Sequence, residues 1–124
     1  MEEEKSLINR YIQFKMSSQD FLLDIASMEE VISLDEIIQL PDTPKHIKGV
    51  TRFRTQVIPI IDIKERLGLQ DNGLNKRAKI MVVRYKEEKV GILIDCLVGV
   101  KNSEEINLEA RGAPELIELN KIIG

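Results

Sequence analysis

The chain is unusually rich in Ile and Val, which supply 26 of its 124 residues, while aromatic residues make up only 4%. β-branched side chains favour strands, because they fit the pleated and half-buried surface of a sheet. Here they fall in short runs that turn-forming residues separate. The pattern predicts an all-β chain with short helices, in which five or more short strands form a small barrel or a sandwich.

Five segments combine the length of a strand with an apolar or alternating pattern: residues 10–16, 21–25, 57–61, 80–85 and 90–100. Residues 17–20 predict a turn between the first two, and residues 86–89 predict a hairpin loop between the last two. Pro59 has no backbone N–H and is expected at a sheet edge or a bulge. Asp95 interrupts the longest run, where it would face water or, if buried, need a partner such as an arginine.

Two places carry the chemistry of a helix start. Ser27 and Glu30 fit a capping box, in which each side chain satisfies a free backbone N–H of the first turn. Asp62 repeats that capping chemistry further on, and Gly68 supplies a helix stop a few residues later. Two further segments remain open between helix and strand: residues 32–40 and residues 115–123.

Charge and composition exclude several classes of function. Eighteen basic and 21 acidic residues leave a net charge of −3, without the positive excess of a protein that binds nucleic acid or an anionic membrane. The single cysteine, Cys96, lies in an apolar run and is expected to be buried, and the single histidine, His46, is expected in a surface turn. Catalytic, phosphate-binding and metal-ligand motifs are not visible, so we expect no enzyme activity, no cofactor and no metal.

The stretch from Leu40 to Gly68 carries the most specific pattern in the chain. Two prolines precede Ile-Lys-Gly-Val at residues 47–50, Arg54 follows in a turn, and residues 57–63 read Val-Ile-Pro-Ile-Ile-Asp-Ile. In order and spacing, these residues match the central pattern of the CheW-like family, the adaptor domain of bacterial chemotaxis. The chain resembles this family over about residues 10–100.

The resemblance implies one CheW-like domain over residues 1–124, made of two small SH3-like β-barrels packed together. The first barrel would span about residues 14–75, up to a polar loop at 71–75, and the second about residues 76–124 plus the N-terminal strand. It also implies a non-enzymatic, cytoplasmic adaptor at the inner face of the membrane. Its partners would be the cytoplasmic hairpin tip of chemoreceptors (methyl-accepting chemotaxis proteins) and the regulatory domain of a CheA-type histidine kinase, without nucleic acid or membrane insertion.

Seven residues are expected to carry receptor binding under this resemblance: Met28, Glu30, Val31, Gly49, Val50, Arg54 and Val98. Arg54 corresponds to the functional arginine of the family, and its guanidinium suits a carboxylate or backbone carbonyls on a receptor hairpin; the alternative is an internal ion pair with Asp62 or Asp95. Glu30 has the competing capping role, and Gly49 is expected to act through backbone geometry. Four residues are expected to be structural: Ser27, Pro59, Asp62 and Gly68.

The chain departs from the family pattern in three ways. Thr55 stands where the family usually has Gly, and it would be strained if that position needs a positive φ. Arg52 replaces a small polar residue and adds a charge beside the receptor-facing site. After Val98 the family continues with roughly two more strands, whereas residues 101–124 are short, so the second barrel is expected to be shortened. An alternative function is a divergent or truncated CheW-like protein that couples a kinase to another input or modulates array assembly.

Overall fold

The computed structural model describes residues 9–34, 37–44, 46–70, 73 and 76–123. Its strands are β1 (Arg10–Met16), β2 (Gln19–Asp24), β3 (Met28–Ser33), β4 (Ile47–Phe53), β5 (Gln56–Ile61), β6 (Lys79–Tyr85), β7 (Glu88–Ile94), β8 (Cys96–Asn102) and β9 (Glu115–Leu116). Short 3₁₀ turns lie at Ile25–Ser27 and Ser103–Glu105, and a helical turn, α1, spans Leu119–Ile122. The predicted β-rich class with short helices is confirmed.

The first sheet has four strands in the order β8-β1-β2-β9. β1 and β2 form an antiparallel hairpin, and both residues of its tight turn, Ser17 and Ser18, have positive φ. β8 pairs antiparallel with β1 on the other side, and β9 adds a short parallel ladder beside β2. The alternating pattern of β1 directs Ile12, Phe14 and Met16 into the interior, where all three are buried.

The second sheet has five strands in the order β3-β6-β7-β5-β4. Its ladders are antiparallel except for the short parallel one between β5 and β7. The chain beyond β3 makes a two-way bridge to the opposite edge of this sheet, because the N–H of Ile38 donates to the carbonyl of Val50 at 2.7 Å and the reverse bond is 2.9 Å. The sheet therefore curls until its two edges, β3 and β4, lie close together.

Two apolar cores follow from this arrangement. The larger core contains the inward residues of β1 and β2 and, from the second sheet, Met81, Val83, Ile92 and Ile94. The smaller core lies inside the curl of the second sheet and includes Phe53. Both sheets thus share one buried layer, while the smaller core fixes the β4–β5 hairpin against β6 and β7.

The long strand predicted at residues 90–100 is wrong, because the chain breaks into β7 and β8 at Asp95. Asp95 is buried, and its Oδ2 accepts a hydrogen bond from the backbone N–H of Ser17 at 2.7 Å. The partner of its charge is a lysine rather than an arginine. Lys64 Nζ lies 2.9 Å from Oδ1 in an ion pair that falls short of hydrogen-bond geometry, and both side chains are almost fully buried.

The helix predicted from Ser27 and Glu30 is also wrong. Ser27 ends a 3₁₀ turn whose cap is Asp24, which accepts the N–H of Ala26 at 2.9 Å, and the next residue begins strand β3. β3 pairs along β6 and packs half-buried residues on the core. Tertiary pairing has overridden a local capping signal, as it commonly does over a short segment.

The helix predicted between Asp62 and Gly68 is wrong, because residues 62–68 form a hydrogen-bonded turn instead. This turn contains two of the residues expected to be structural. The side chain of Asp62 accepts the N–H of Lys64 at 3.0 Å, and Gly68 ends the turn with φ +69°. β5 is an inner strand rather than an edge, but its ladder with β7 covers only Ile60 and Ile61. Pro59 therefore has a ladder partner on the β4 side alone, so its missing N–H costs little there.

The structure assigns both segments that the sequence left open between helix and strand. Residues 32–40 continue β3 and then reach the bridge at Ile38, with residues 35 and 36 outside the described part. Residues 115–123 hold a short strand followed by a helical turn. The polar loop at 71–75 lies outside the described residues except for Gly73, and the division into two barrels near residue 75 stays a prediction.

The single cysteine and the single histidine are both at least partly accessible. Cys96 is only partly buried, which corrects the expectation of a buried thiol. His46 is exposed in a turn, as expected. Within the described ranges, no helix is long and apolar enough to cross a membrane.

Candidate recognition site

The β4–β5 hairpin presents Arg54 at its tip. Phe53 and Gln56 are the last paired residues, so Arg54 and Thr55 form a two-residue turn. Arg54 has φ +57°, whereas Thr55 does not have a positive φ. The backbone strain expected at Thr55 therefore lies one residue earlier, on Arg54. A non-glycine residue with a positive φ loses of order 1 kcal/mol of folding free energy.

Arg54 is paired with Glu30 and not with Asp62 or Asp95. Its Nη2 lies 3.6 Å from Oε1 of Glu30, and the side chains are 61% and 49% exposed, respectively. An ion pair this exposed contributes about 0–1 kcal/mol. The contact therefore orients the guanidinium across the gap between the two sheet edges while leaving its donors available to a partner.

The ring of Phe53 packs against Arg54 at the tip of the β4–β5 hairpin. The ring is buried in the smaller core, at 3% exposure. The Cζ atom of Arg54 lies 4.9 Å from the ring centroid, and Nζ of Lys89, on β7, lies 5.3 Å from it. Cation–π contacts of this kind contribute about 0.5–1 kcal/mol at accessible sites. Two cations thus lie over one buried ring beside the groove.

A shallow groove of about 350 Å³ separates the two edges of the second sheet. Residues 30–33 of β3 form one wall, and residues 52–54 of the hairpin form the other. We call this feature the edge groove. Its walls combine accessible charged side chains with the half-buried side chains of Val31 and Ile32, and the ring of Phe53 lies buried beside them.

The structure brings three of the seven predicted receptor-binding residues together in the edge groove, namely Glu30, Val31 and Arg54. The other four lie elsewhere: Met28 starts β3, Gly49 and Val50 are on β4, and Val98 is on β8 in the other sheet. Gly49 is buried against the Ile38 bridge, which fits the geometric role expected of it. Receptor contact by these residues stays a prediction.

Sequence reasoning did not place Ile32, Ser33 and Phe53 in a site. Ile32 and Ser33 belonged to a segment without a clear assignment, and Phe53 reads as an ordinary core residue. A two-residue hairpin between residues 47–53 and 56–61 would have indicated that residues flanking Arg54 share its surface. The opposite wall, formed by β3, depends on long-range curling of the sheet, which no local pattern indicates.

The groove lies between the two edges of the second sheet of a β-rich domain, and its described lining carries Glu30, Arg52 and Arg54. A family model described as a CheW-like domain matches residues 10–120. The chain belongs to the CheW-like family, as the resemblance in its central motif indicated.

Relatives of known name agree with this membership. The chain is 28% identical over 106 residues to chemotaxis protein CheW of Klebsiella aerogenes, covering 85% of this chain and 62% of that protein. It is 31% identical over 86 residues to a probable chemotaxis protein CheW of Rhizobium etli, covering 69% and 56%, respectively. The chain therefore spans about three fifths of the length of these curated relatives.

The fold also matches a solved structure. The crystal structure of the scaffolding protein TtCheW from Thermoanaerobacter tengcongensis superposes with a TM-score of 0.72 at 26% sequence identity. The match covers 86% of this chain and 75% of that one. The two-sheet arrangement described above is thus the CheW architecture.

Proposed function

We propose that the chain is a non-enzymatic adaptor in bacterial chemotaxis, which bridges the cytoplasmic hairpin tips of chemoreceptors and the regulatory domain of a CheA-type histidine kinase. The family match over residues 10–120 supports the adaptor role most strongly. The edge groove supplies the recognition surface for the receptor, with Arg54 as its main polar contact. The proposed place of action is the cytoplasm, at receptor arrays.

The geometry of the groove supports a helical partner. The groove lies between β3 and the β4–β5 hairpin, and Val31 and the buried ring of Phe53 lie among its charged side chains. A receptor helix that docks there would place one apolar side chain against Val31 and make polar contacts with the rest of the groove, because the accessible lining is more polar than apolar. Arg54 at the rim would exchange part of its weak pairing with Glu30 for a receptor carboxylate or backbone carbonyl.

A second candidate is a divergent CheW-like protein that couples a kinase to another input or modulates array assembly. The chain matches two chemotaxis CheW proteins over 62% and 56% of their lengths. A chain that binds only one of the two partners would not act as a bridge. The two candidates differ in whether both partners bind at once.

Two variants of Arg54 test the receptor site. Arg54→Ala removes the guanidinium and keeps the strained φ, whereas Arg54→Gly removes the guanidinium and relieves that φ. We expect both to weaken binding to a chemoreceptor tip hairpin by about tenfold or more, as for a central interface arginine. Arg54→Gly should keep or slightly raise the free energy of unfolding, measured by urea titration, so that affinity falls while stability does not.

Lys86→Gly is the matched control. Lys86 is the first turn residue between β6 and β7, has φ +58°, and places its ammonium 5.3 Å from the Tyr85 ring centroid. It therefore repeats the backbone and the cation–π contact of Arg54 outside the edge groove. Lys86→Gly should leave receptor affinity unchanged. Wild-type affinity in both Arg54 variants would remove Arg54 from the site.

A further inference from the structure

Arg52 lies on the outer face of the β4–β5 hairpin. In β4 the neighbouring residues Thr51 and Phe53 are buried, so the alternation of the strand turns Arg52 the other way, and it is exposed. Its cross-strand partner is Val57 of β5, which is 66% exposed. Directly opposed residues of an antiparallel pair have adjacent side chains on one face. A cation and an exposed apolar side chain thus stand side by side, next to the edge groove.

The charge of Arg52 is uncompensated in the part of the chain that the structure describes. Arg54 pairs with Glu30 and Arg84 pairs with Glu29, but Arg52 has no carboxylate partner among those residues. Arg52 nevertheless forms part of the groove wall.

Among the described residues, the groove and its rim therefore carry more cations than carboxylates, although the chain has a net charge of −3. Two further cations, Arg54 and Lys89, lie over the Phe53 ring, and Glu30 is the one acid among the described residues that line the groove. A locally positive surface on an acidic chain favours a partner that presents carboxylates and disfavours one that presents cations.

We infer that Arg52 and Val57 form a selectivity face. This face binds a receptor tip more tightly when the receptor helix carries a carboxylate one turn away from an apolar side chain than when it carries a lysine there. This inference rests on the proposed receptor-binding function. Residues i and i+4 of a helix lie on the same side, so one receptor helix can place its apolar residue on Val57 and its carboxylate on Arg52. The guanidinium fork suits a carboxylate, and it repels a lysine at the same receptor position.

The test uses two chemoreceptor tip hairpins that differ only at one exposed helical position, Glu in one and Lys in the other, four residues from an apolar residue. Affinities are measured by calorimetry for the wild-type chain, Arg52→Gln and Arg52→Glu. The wild type should prefer the Glu hairpin by about tenfold or more. Arg52→Gln should reduce that preference to near one, and Arg52→Glu should reverse it. The preference of the wild type should also shrink as salt rises.

Arg111→Glu is the control for charge alone, because Arg111 is exposed in the loop before β9 and takes no part in the groove. It makes the same change in net charge and should keep the preference of the wild type. Equal affinity of the wild type for both hairpins would overturn the selectivity face and leave the proposed function standing. Binding of neither hairpin would overturn both. An equal shift in Arg111→Glu and Arg52→Glu would assign the effect to net charge and overturn the role of Arg52.

Discussion

Replacing Lys64 with Met is expected to destabilise the chain by about 3–5 kcal/mol, because it leaves the carboxylate of Asp95 buried without its counter-charge. The side chains of Lys64 and Asp95 are only 4% and 11% exposed, so water cannot replace the lost partner. Met keeps most of the volume and the apolar stem, which confines the change to the charge. Urea unfolding should show a lower midpoint with an unchanged slope.

The double variant Lys64→Met with Asp95→Asn separates a buried charge from a packing defect. Asn keeps an oxygen that can accept the N–H of Ser17, now 2.7 Å from Oδ2 of Asp95, and carries no charge. The double variant should therefore be more stable than Lys64→Met alone. Lys15→Met supplies the surface comparison, since its pair with Asp20 is partly exposed and should contribute about 0–1 kcal/mol. Equal losses in Lys64→Met and Lys15→Met would show that burial of the pair is unimportant.

Replacing Gly49 with Ala is expected to cost about 2–4 kcal/mol, from backbone strain and overpacking together. Gly49 has φ +154°, and a Cβ there would overlap the carbonyl oxygen of Ile38 and lie 2.9 Å from Cγ2 of Ile37. The overlapped oxygen accepts the N–H of Val50 in the bridge that joins the two sheet edges. The substitution should therefore open the curl that forms the edge groove, and weaken receptor binding along with stability.

Gly99→Ala is the control for the backbone term. Gly99 has φ +151°, close to that of Gly49, but nothing lies within 4 Å of a Cβ built on it. Its substitution should cost about 1–2 kcal/mol, from φ alone. The difference between the two alanine variants in thermal unfolding measures the clash with Ile38. If Gly49→Ala is no less stable than Gly99→Ala, the bridge is not a tight contact.

Much of the fold could be predicted because its strands carry local signals. β1 alternates polar and apolar residues, and β5 and β6 are short β-branched runs, so all three appear at nearly the predicted bounds. The helix start predicted at residues 27–30 is wrong because the capping signal is local, whereas the pairing of β3 with β6 joins residues that are far apart in sequence. The single strand predicted at residues 90–100 is wrong because the break between β7 and β8 is marked in the sequence by Asp95 alone.

The candidate site was less predictable for the same physical reason. Arg54 stood out by its place in a motif, but its partner Glu30 comes from the opposite edge of the sheet, and only the curl brings them together. Lys64 likewise approaches Asp95 from a turn in another part of the chain. The positive φ could be expected in the hairpin turn, but which of its two residues adopts it depends on the register of β4 against β5.

Bridging is tested most directly by sedimentation velocity on the purified chain mixed with a chemoreceptor tip hairpin and the regulatory domain of a CheA-type kinase. A bridging adaptor should give a ternary complex whose mass is the sum of all three components. Arg54→Ala should release the receptor hairpin from that complex and leave the kinase domain bound. A chain that binds only one of the two partners, or for which the partners compete, would contradict the bridging function.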